Sequence, residues 1–127
     1  MFRSRRGRQR LSVEEALART AGGRPEAVLL DVREDAEWRA GHAPGAVHAP
    51  LTALAALTAL AAGAPLPAAA QGLPLVVICR SGHRSQRAVA LLARRGAEAV
   101  DVEGGMSAWA TAGHPVVDMR GNGGTIA

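Results

Sequence analysis

Short apolar runs separated by polar segments give this chain the pattern of alternating strands and helices. The runs at 28–32, 75–78 and 98–102 each contain two valines and are four or five residues long, which is typical of buried parallel strands. A shorter strand is predicted at 45–48, after the turn that Pro44 begins. The chain therefore has at least four strand candidates.

The segments between the strands carry helix signals. Ser12 and Glu15 form a capping-box pattern, so a helix is predicted from this point to Thr20. Leucines at every third position predict a helix that faces a core, at Leu51, Leu54, Leu57 and Leu60. Three more helices, each closed by a glycine, are predicted at 34–40, 85–95 and 106–111, and 63–74 is predicted to be a loop.

Strands that alternate with helices indicate an α/β fold. We expect a central parallel sheet with helices on both faces, connected by right-handed crossovers. Ligands of such sheets bind at the carboxyl ends of the strands. A functional site is therefore expected where one of these strands runs into a polar loop.

Charge and composition indicate one domain with a basic arm. The chain has 127 residues, of which 48% are apolar, enough for a single core. All 15 basic residues are arginines, and five of them lie in residues 1–10; without these, ten arginines face eleven acidic residues. We therefore predict a disordered basic arm at 1–10, a domain at 11–118 and a flexible tail at 119–127. The arm could contact an acidic partner, but a nucleic-acid partner is disfavoured.

The location expected from the sequence is cytoplasmic. No apolar segment of the secretory type follows the arm, and the one cysteine cannot form an internal disulfide. Residues 49–78 carry no formal charge, but glycines and prolines interrupt them, so no membrane span is predicted. No cluster has metal-ligand spacing, and neither a metal nor a cofactor is expected.

The candidate chemistry lies at Cys79, which directly follows the strand at 75–78. A polar segment, here named the cysteine loop (residues 80–85), comes next and leads into a helix. Backbone N–H groups of this loop can converge as an anion-binding nest, and the start of the helix adds positive potential. Arg80, His83 and Arg84 can add charge. We expect an exposed, reactive thiolate.

The spacing between Cys79 and Arg84 favours a small anion. Cysteine phosphatases place five residues between the cysteine and the arginine, in a loop that cradles a phosphate, whereas four residues intervene here. The shorter ring suits a terminal sulfur on the cysteine itself. A cysteine-dependent phosphatase or an arsenate reductase is therefore a less favoured alternative.

Four motifs, in this order, resemble those of the rhodanese (thiosulfate sulfurtransferase) family in its single-domain form. They lie at 30–34, 37–48, 79–85 and 103–116. The resemblance covers roughly residues 11 to 117, and it implies a three-layer α/β sandwich around a parallel sheet of about five strands.

The resemblance also implies a double displacement. Cys79 would take sulfur from a small anionic donor such as thiosulfate, become a persulfide, and pass the sulfur to cyanide or a thiol. The loop residues implied to cradle this sulfur, mainly through main-chain N–H groups, are Arg80, Ser81, Gly82, His83 and Arg84. Animal two-domain members carry a basic residue where Ser81 stands, and Arg80 and Arg84 are the candidates to supply that charge.

Several assignments stay open at this stage. The alternative function is a non-catalytic persulfide carrier, redox sensor or partner-binding module, and a monomer is expected. Arg84 could bind substrate or form an ion pair at the loop rim, and His83 could steer anions or be solvated.

Other residues have structural interpretations. Gly82 is expected to need a positive φ, and Asp31 and Arg33 are predicted to form a buried polar pair. Trp38 and Trp109 are predicted to be core residues. His42 and His48 are predicted to be turn and core residues that hydrogen-bond to the backbone.

Overall fold

The computed structural model describes residues 10–60 and 66–127, and five strands in these segments form one sheet. The strand order is β1-β5-β4-β2-β3, and each neighbouring pair is parallel. The strands are β1 (Arg10–Leu11), β2 (Val28–Asp31), β3 (Val47–His48), β4 (Leu75–Ile78) and β5 (Ala99–Val102). This confirms the predicted α/β class. The predicted arm falls outside the described residues except for Arg10.

Helices connect the strands and begin or end within one residue of the predicted positions. They are α1 (Val13–Thr20), α2 (Asp35–Ala40), α3 (Leu51–Leu60), α4 (Arg84–Arg94) and α5 (Gly105–Thr111). The described part of the predicted loop also contains a short 3-10 helix at Ala68–Ala70. Among the helices of the described segments, none has both the length and the apolar character that crossing a membrane requires.

The capping box at α1 is present as predicted. The Ser12 hydroxyl accepts a hydrogen bond from the Glu15 amide at 3.1 Å, and the Glu15 carboxylate accepts one from the Ser12 amide at 2.8 Å. The hydrogen bond from the Ser12 amide to its carboxylate is the main reason that the pKa of Glu15 is lowered. The cap starts α1 directly after β1, which fixes the direction in which the chain leaves the sheet.

Two cores lie on opposite faces of the sheet. Along β4, Val76 and Ile78 face a core covered by α1 and α5, whereas Leu75 and Val77 face a core covered by α3 and α4. This alternation is the two-residue period of a strand that is buried on both faces. It confirms the prediction of helices on both faces. The side chains of Leu57 and Leu60 lie outside the described residues, but Leu51 and Leu54 face the α3/α4 core as predicted.

β1 was not predicted, and Arg10 had been assigned to the arm. In the structure Arg10 pairs with Asp101 and Leu11 with Val102 in the register of β1 and β5. Two residues are too few to show a periodicity, so this strand exists because of its distant partner. Arg10 therefore lies in the sheet.

Asp31 and Arg33 form the predicted buried pair at the end of β2. Both side chains are fully buried, and the Arg33 guanidinium donates hydrogen bonds to the Asp31 carboxylate at 2.8 to 3.2 Å. The same guanidinium donates to the Gly41 carbonyl at 2.6 Å. His48 also bonds to backbone as predicted, because its Nε2 donates to the Arg33 carbonyl at 2.7 Å.

The two tryptophans have different environments. Trp109 is a core residue as predicted, and its indole N–H donates to the Pro115 carbonyl. Trp38 is only half-buried, so its assignment as a core anchor was wrong. It lies in the six-residue helix α2, which has no fully buried residue. Its ring stacks with the imidazoles of His42 and His48, at centroid distances of 3.6 and 4.7 Å. The His42 Nδ1 bonds to the Trp38 carbonyl, as predicted for a backbone-bonded histidine.

The segment predicted as a flexible tail makes backbone contacts with the domain. Gly123 forms an antiparallel bridge with Val117, which lies in the predicted domain and itself exchanges two hydrogen bonds with His42. The Thr125 amide then donates to the Ala40 carbonyl at 2.9 Å. These contacts, which the composition did not predict, lay the segment along the end of α2.

The burial of the Asp31–Arg33 pair predicts how its substitution changes the free energy of unfolding. Asp31→Leu should lower the free energy of unfolding by about 3 to 5 kcal/mol, because it leaves a buried guanidinium without its counter-charge. Asp31→Leu/Arg33→Met removes both charges and should recover at least half of that loss. Urea unfolding of the three proteins measures both effects, and a double variant as unstable as the single one would contradict the prediction.

Candidate active site

Cys79 lies at the carboxyl end of β4, the middle strand of the sheet. Its side chain points into the α3/α4 core, and the residue is 1% exposed. The expectation of an exposed thiol was therefore wrong. The reason is local: the cysteine loop curls back over the sulfur, and both Gly82 and Ser85 are hydrogen-bonded to it.

Gly82 gives the cysteine loop its shape. Its φ is +103°, which confirms the predicted positive φ, and its amide donates to the Cys79 Sγ at 3.1 Å. A side chain here would lie 2.9 Å from the Arg10 guanidinium and 3.2 Å from the Gly104 amide nitrogen. The convergence of the other loop amides on the sulfur stays a prediction.

The first turn of α5 holds the outer side of the loop. The amides of Met106 and Ser107 donate to the carbonyls of Cys79 and Arg80 at 2.7 and 2.9 Å. This approach requires Gly105, because a Cβ at that position would overlap the Cys79 carbonyl oxygen. In a trans peptide the N–H points opposite to the C=O. The N–H groups that follow these two carbonyls therefore point away from α5.

Ser85 connects the cysteine to a buried carboxylate. Its hydroxyl is 3.4 Å from the Cys79 Sγ, as an acceptor for the S–H, and it donates to the Asp101 Oδ2 at 2.8 Å. Ser85 is fully buried and Asp101 is 1% exposed. The hydroxyl is thus held between a sulfur and a negative charge.

Arg10 neutralises this carboxylate. It donates to both Asp101 oxygens at 3.0 Å and to the Gly82 carbonyl at 2.9 Å. Hydrogen bonding to Asp101 is the main reason that the pKa of Arg10 is raised. Neither Arg10 nor Asp101 was predicted to be a site residue. The available signal was an acidic residue inside the apolar run at 98–102.

Arg84 forms an ion pair at the loop rim. Its guanidinium donates to both Glu37 oxygens, at 2.6 and 2.8 Å, so the structure contains the ion pair that was one of the two possibilities left open. These hydrogen bonds lower the pKa of Glu37 and raise that of Arg84. Because the pKa of Glu37 is lowered, the pair contributes stability at neutral pH, and this contribution is lost as the pH falls through the folded-state pKa. A further role of Arg84 in binding substrate stays a prediction.

The other loop side chains lie on the outside. Arg80, Ser81 and His83 are exposed. The Ser81 hydroxyl is 3.2 Å from the His83 Nδ1, and the Arg80 Nε donates to the Ala127 carbonyl at 2.8 Å. Of the five predicted loop residues, Gly82 is the one that the described structure shows hydrogen-bonded to the sulfur.

Comparison with known proteins points to one family. The sequence profile of the family described as "Rhodanese-like domain" matches residues 12–112. The Bacillus subtilis (strain 168) protein named putative sulfurtransferase YtwF is 37% identical over 84 residues, which cover 66% of this chain and 74% of that protein. The family profile therefore spans β2 to β5 and the cysteine loop.

Two further comparisons agree with this. The Zea mays protein named adenylyltransferase and sulfurtransferase MOCS3-2 is 53% identical over 47 residues, which are 36% of this chain and 10% of that protein. The chain thus spans about a tenth of that relative. The crystal structure of a rhodanese-related protein from Thermoplasma volcanium superposes with a TM-score of 0.64 at 29% identity, covering 86% of this chain and 97% of that one.

Gly82 provides a test of the loop geometry. Gly82→Ala should raise the pH at which iodoacetamide alkylates Cys79 half-maximally by about one unit. The Cβ displaces Arg10 or Gly104 and removes an amide donor from the sulfur, worth about 1.5 kcal/mol for an ionised acceptor. Gly96→Ala is the matched control. It also has a positive φ, +84°, but no atom lies within 4 Å of its Cβ position.

Both glycine variants should lose about 1 to 2 kcal/mol of stability, the cost of a left-handed conformation for alanine. Gly82→Ala should lose more than Gly96→Ala, because only its Cβ meets close contacts. Only Gly82→Ala should change the pH of half-maximal alkylation, and an equal pH in the two variants would contradict the role given to the loop.

Proposed function

This chain belongs to the rhodanese-like domain family, and on that premise we propose that it is a sulfurtransferase that carries sulfur as a persulfide on Cys79. The observation that carries the proposal is the Gly82 amide at 3.1 Å from the sulfur, at the carboxyl end of the middle strand. The word sulfurtransferase in the names of the Bacillus subtilis and Zea mays relatives supports the same reaction class.

The reaction has two displacements and needs no external oxidant. The Cys79 thiolate attacks the outer sulfur of thiosulfate, the S–S bond of the donor breaks, and sulfite leaves with the electron pair. Cys79 is then an anionic persulfide. Cyanide or a thiolate attacks the terminal sulfur and leaves as thiocyanate or a new persulfide, and the Cys79 thiolate is regenerated.

The surroundings of the sulfur favour a negative charge there. The Gly82 amide donates to it, α4 begins at Arg84 with its positive end toward the loop, and Arg10 and Arg84 both interact electrostatically with Cys79. Donors fixed in advance stabilise an anion without the cost of reorganising solvent. The same loop therefore serves the thiolate and the persulfide.

Donor binding is proposed for the loop as a whole. Thiosulfate is a small dianion, and the side chains of Arg80 and His83 are exposed on the outside of the cysteine loop, where they can attract it. The residues proposed to bind it are Arg80, Ser81, Gly82, His83 and Arg84.

Burial of Cys79 favours a second outcome, in which the persulfide is long-lived. With 1% of the residue exposed, donor and acceptor reach the sulfur only when the cysteine loop moves aside. Slow access in both directions would make the protein a sulfur carrier that depends on a partner for discharge. Slow turnover together with stable loading would identify this carrier role.

The first test follows sulfur on Cys79. Wild-type protein incubated with thiosulfate should gain the mass of one sulfur atom and, with cyanide present, release thiocyanate. Cys79→Ser should do neither, because the hydroxyl is far less nucleophilic and cannot form a persulfide. Equal thiocyanate release by wild type and Cys79→Ser would refute the proposed function, and rapid hydrolysis of an aryl phosphate would favour phosphatase chemistry.

A second test separates the two possible roles of Arg84. If its guanidinium binds the donor, Arg84→Gln should raise KM for thiosulfate about tenfold, the effect of losing one charged hydrogen bond. Glu37→Gln should lower KM, because it releases the guanidinium from its ion pair. An unchanged KM in both variants, with similar losses of stability, would show that Arg84 only braces α2 against the loop.

A further inference from the structure

We propose that Ser85 is a two-way hydrogen-bonding switch for the Cys79 sulfur, and that the Arg10–Asp101 ion pair makes the switch possible. The hydroxyl accepts a hydrogen bond from the neutral thiol and donates one to the anionic sulfur. Arg10, Ser85 and Asp101 are then positioning residues for the sulfur. The persulfide part of this inference rests on the proposed function, whereas the thiolate part does not.

The geometry of the resting state fixes the first position of the switch. A serine hydroxyl has one hydrogen, and Ser85 donates it to the Asp101 Oδ2 at 2.8 Å. Toward the Cys79 Sγ, at 3.4 Å, the hydroxyl therefore offers only a lone pair. This arrangement suits a thiol, which supplies the hydrogen.

An anionic sulfur requires the second position. A thiolate or persulfide has no hydrogen, so a lone pair directed at it is repulsive, and the buried hydroxyl must turn its hydrogen toward the sulfur. This removes one hydrogen bond from Asp101. Because Arg10 donates to both Asp101 oxygens, the carboxylate keeps a donor on each oxygen after Ser85 turns away.

Arg10 also compensates the charge of the carboxylate. Asp101 is 1% exposed, and a bare negative charge there would oppose an anionic sulfur nearby. Arg84, at the start of α4, also favours an anionic sulfur. Its charge is neutralised, however, by the ion pair with Glu37 of α2 at the loop rim. Arg10 is thus the cation that offsets the repulsion between Asp101 and the thiolate. Glu103, which follows β5, also interacts electrostatically with Arg10.

The test measures alkylation of Cys79 by iodoacetamide as a function of pH. Since the chain has one cysteine, the alkylation rate reports this thiolate alone. Arg10→Met should raise the pH of half-maximal alkylation by about one unit, which corresponds to about tenfold less thiolate at neutral pH. Asp101→Asn should lower this pH, because it removes the opposing charge and frees the Ser85 hydrogen.

The double variant Arg10→Met/Asp101→Asn separates the charge effect from the loop effect. It lacks the hydrogen bond from Arg10 to the Gly82 carbonyl, as Arg10→Met does, but it contains no uncompensated carboxylate. This double variant should recover at least half of the shift caused by Arg10→Met. Recovery of nothing would show that Arg10 acts only by holding Gly82, and would overturn the proposal.

Two variants complete the test. Arg94→Met removes an exposed arginine at the far end of α4, and it should leave the alkylation profile unchanged. Ser85→Ala keeps both charges but removes the hydroxyl, and should raise the pH of half-maximal alkylation by about one unit, because the thiolate loses a donor. A Ser85→Ala profile equal to that of wild type would also overturn the proposal.

Two controls separate a folding defect and a failure of the proposed function from a failure of the switch. If Arg10→Met does not fold, Arg10→Lys retains the charge without the two-pronged hydrogen bonding, and should give less than half of the shift expected for Arg10→Met. Alkylation needs no sulfur donor. Failure of wild type to load sulfur from thiosulfate would refute the proposed function, while the pH profiles would still support or refute the switch.

Discussion

The contact between the first turn of α5 and the chain at Cys79 and Arg80 is the constraint on which the site depends. Two amides of α5 donate hydrogen bonds to the carbonyls of these residues, and the backbones approach this closely because Gly105 has no Cβ. Without this contact, the peptides after β4 could turn either way. With it, their N–H groups face away from α5, and the cysteine loop has one direction in which to close over the sulfur.

The same region concentrates charge in a small buried volume. The Ser85 hydroxyl lies within hydrogen-bond distance of both the Cys79 sulfur and the Asp101 carboxylate. Arg10 forms an ion pair with the same carboxylate. Buried charges are tolerated when each has a partner, and here the partner comes from the edge strand β1. A strand of two residues thus completes the environment of a cysteine located two strands away.

Much of the fold and part of the site could be predicted from the chain. The strand at 75–78 is a continuous apolar run that ends at a cysteine, and a glycine within the polar loop indicated the positive φ. The Asp31–Arg33 pair could also be predicted, because a charge buried at the end of a strand is costly unless an opposite charge pairs with it. These features are local, so a few neighbouring residues determine them.

The features that were missed depend on distant contacts. Arg10 looked like part of a solvated arm because nothing near it in sequence shows that Asp101 is its partner, 91 positions away. The burial of Cys79 depends on Gly82 and Ser85 folding back over the sulfur, and the half-burial of Trp38 on the shortness of α2. The ion pair of Arg84 with Glu37 joins residues 47 positions apart.

The hydrogen bond from Arg80 to the carbonyl of Ala127 has a practical consequence. Residue 127 therefore lies beside the cysteine loop, where a bulky label would obstruct the approach of small molecules to the sulfur. Material for enzymology is best prepared without a label at this position, whereas a small environment-sensitive reporter placed there would sense events at the loop.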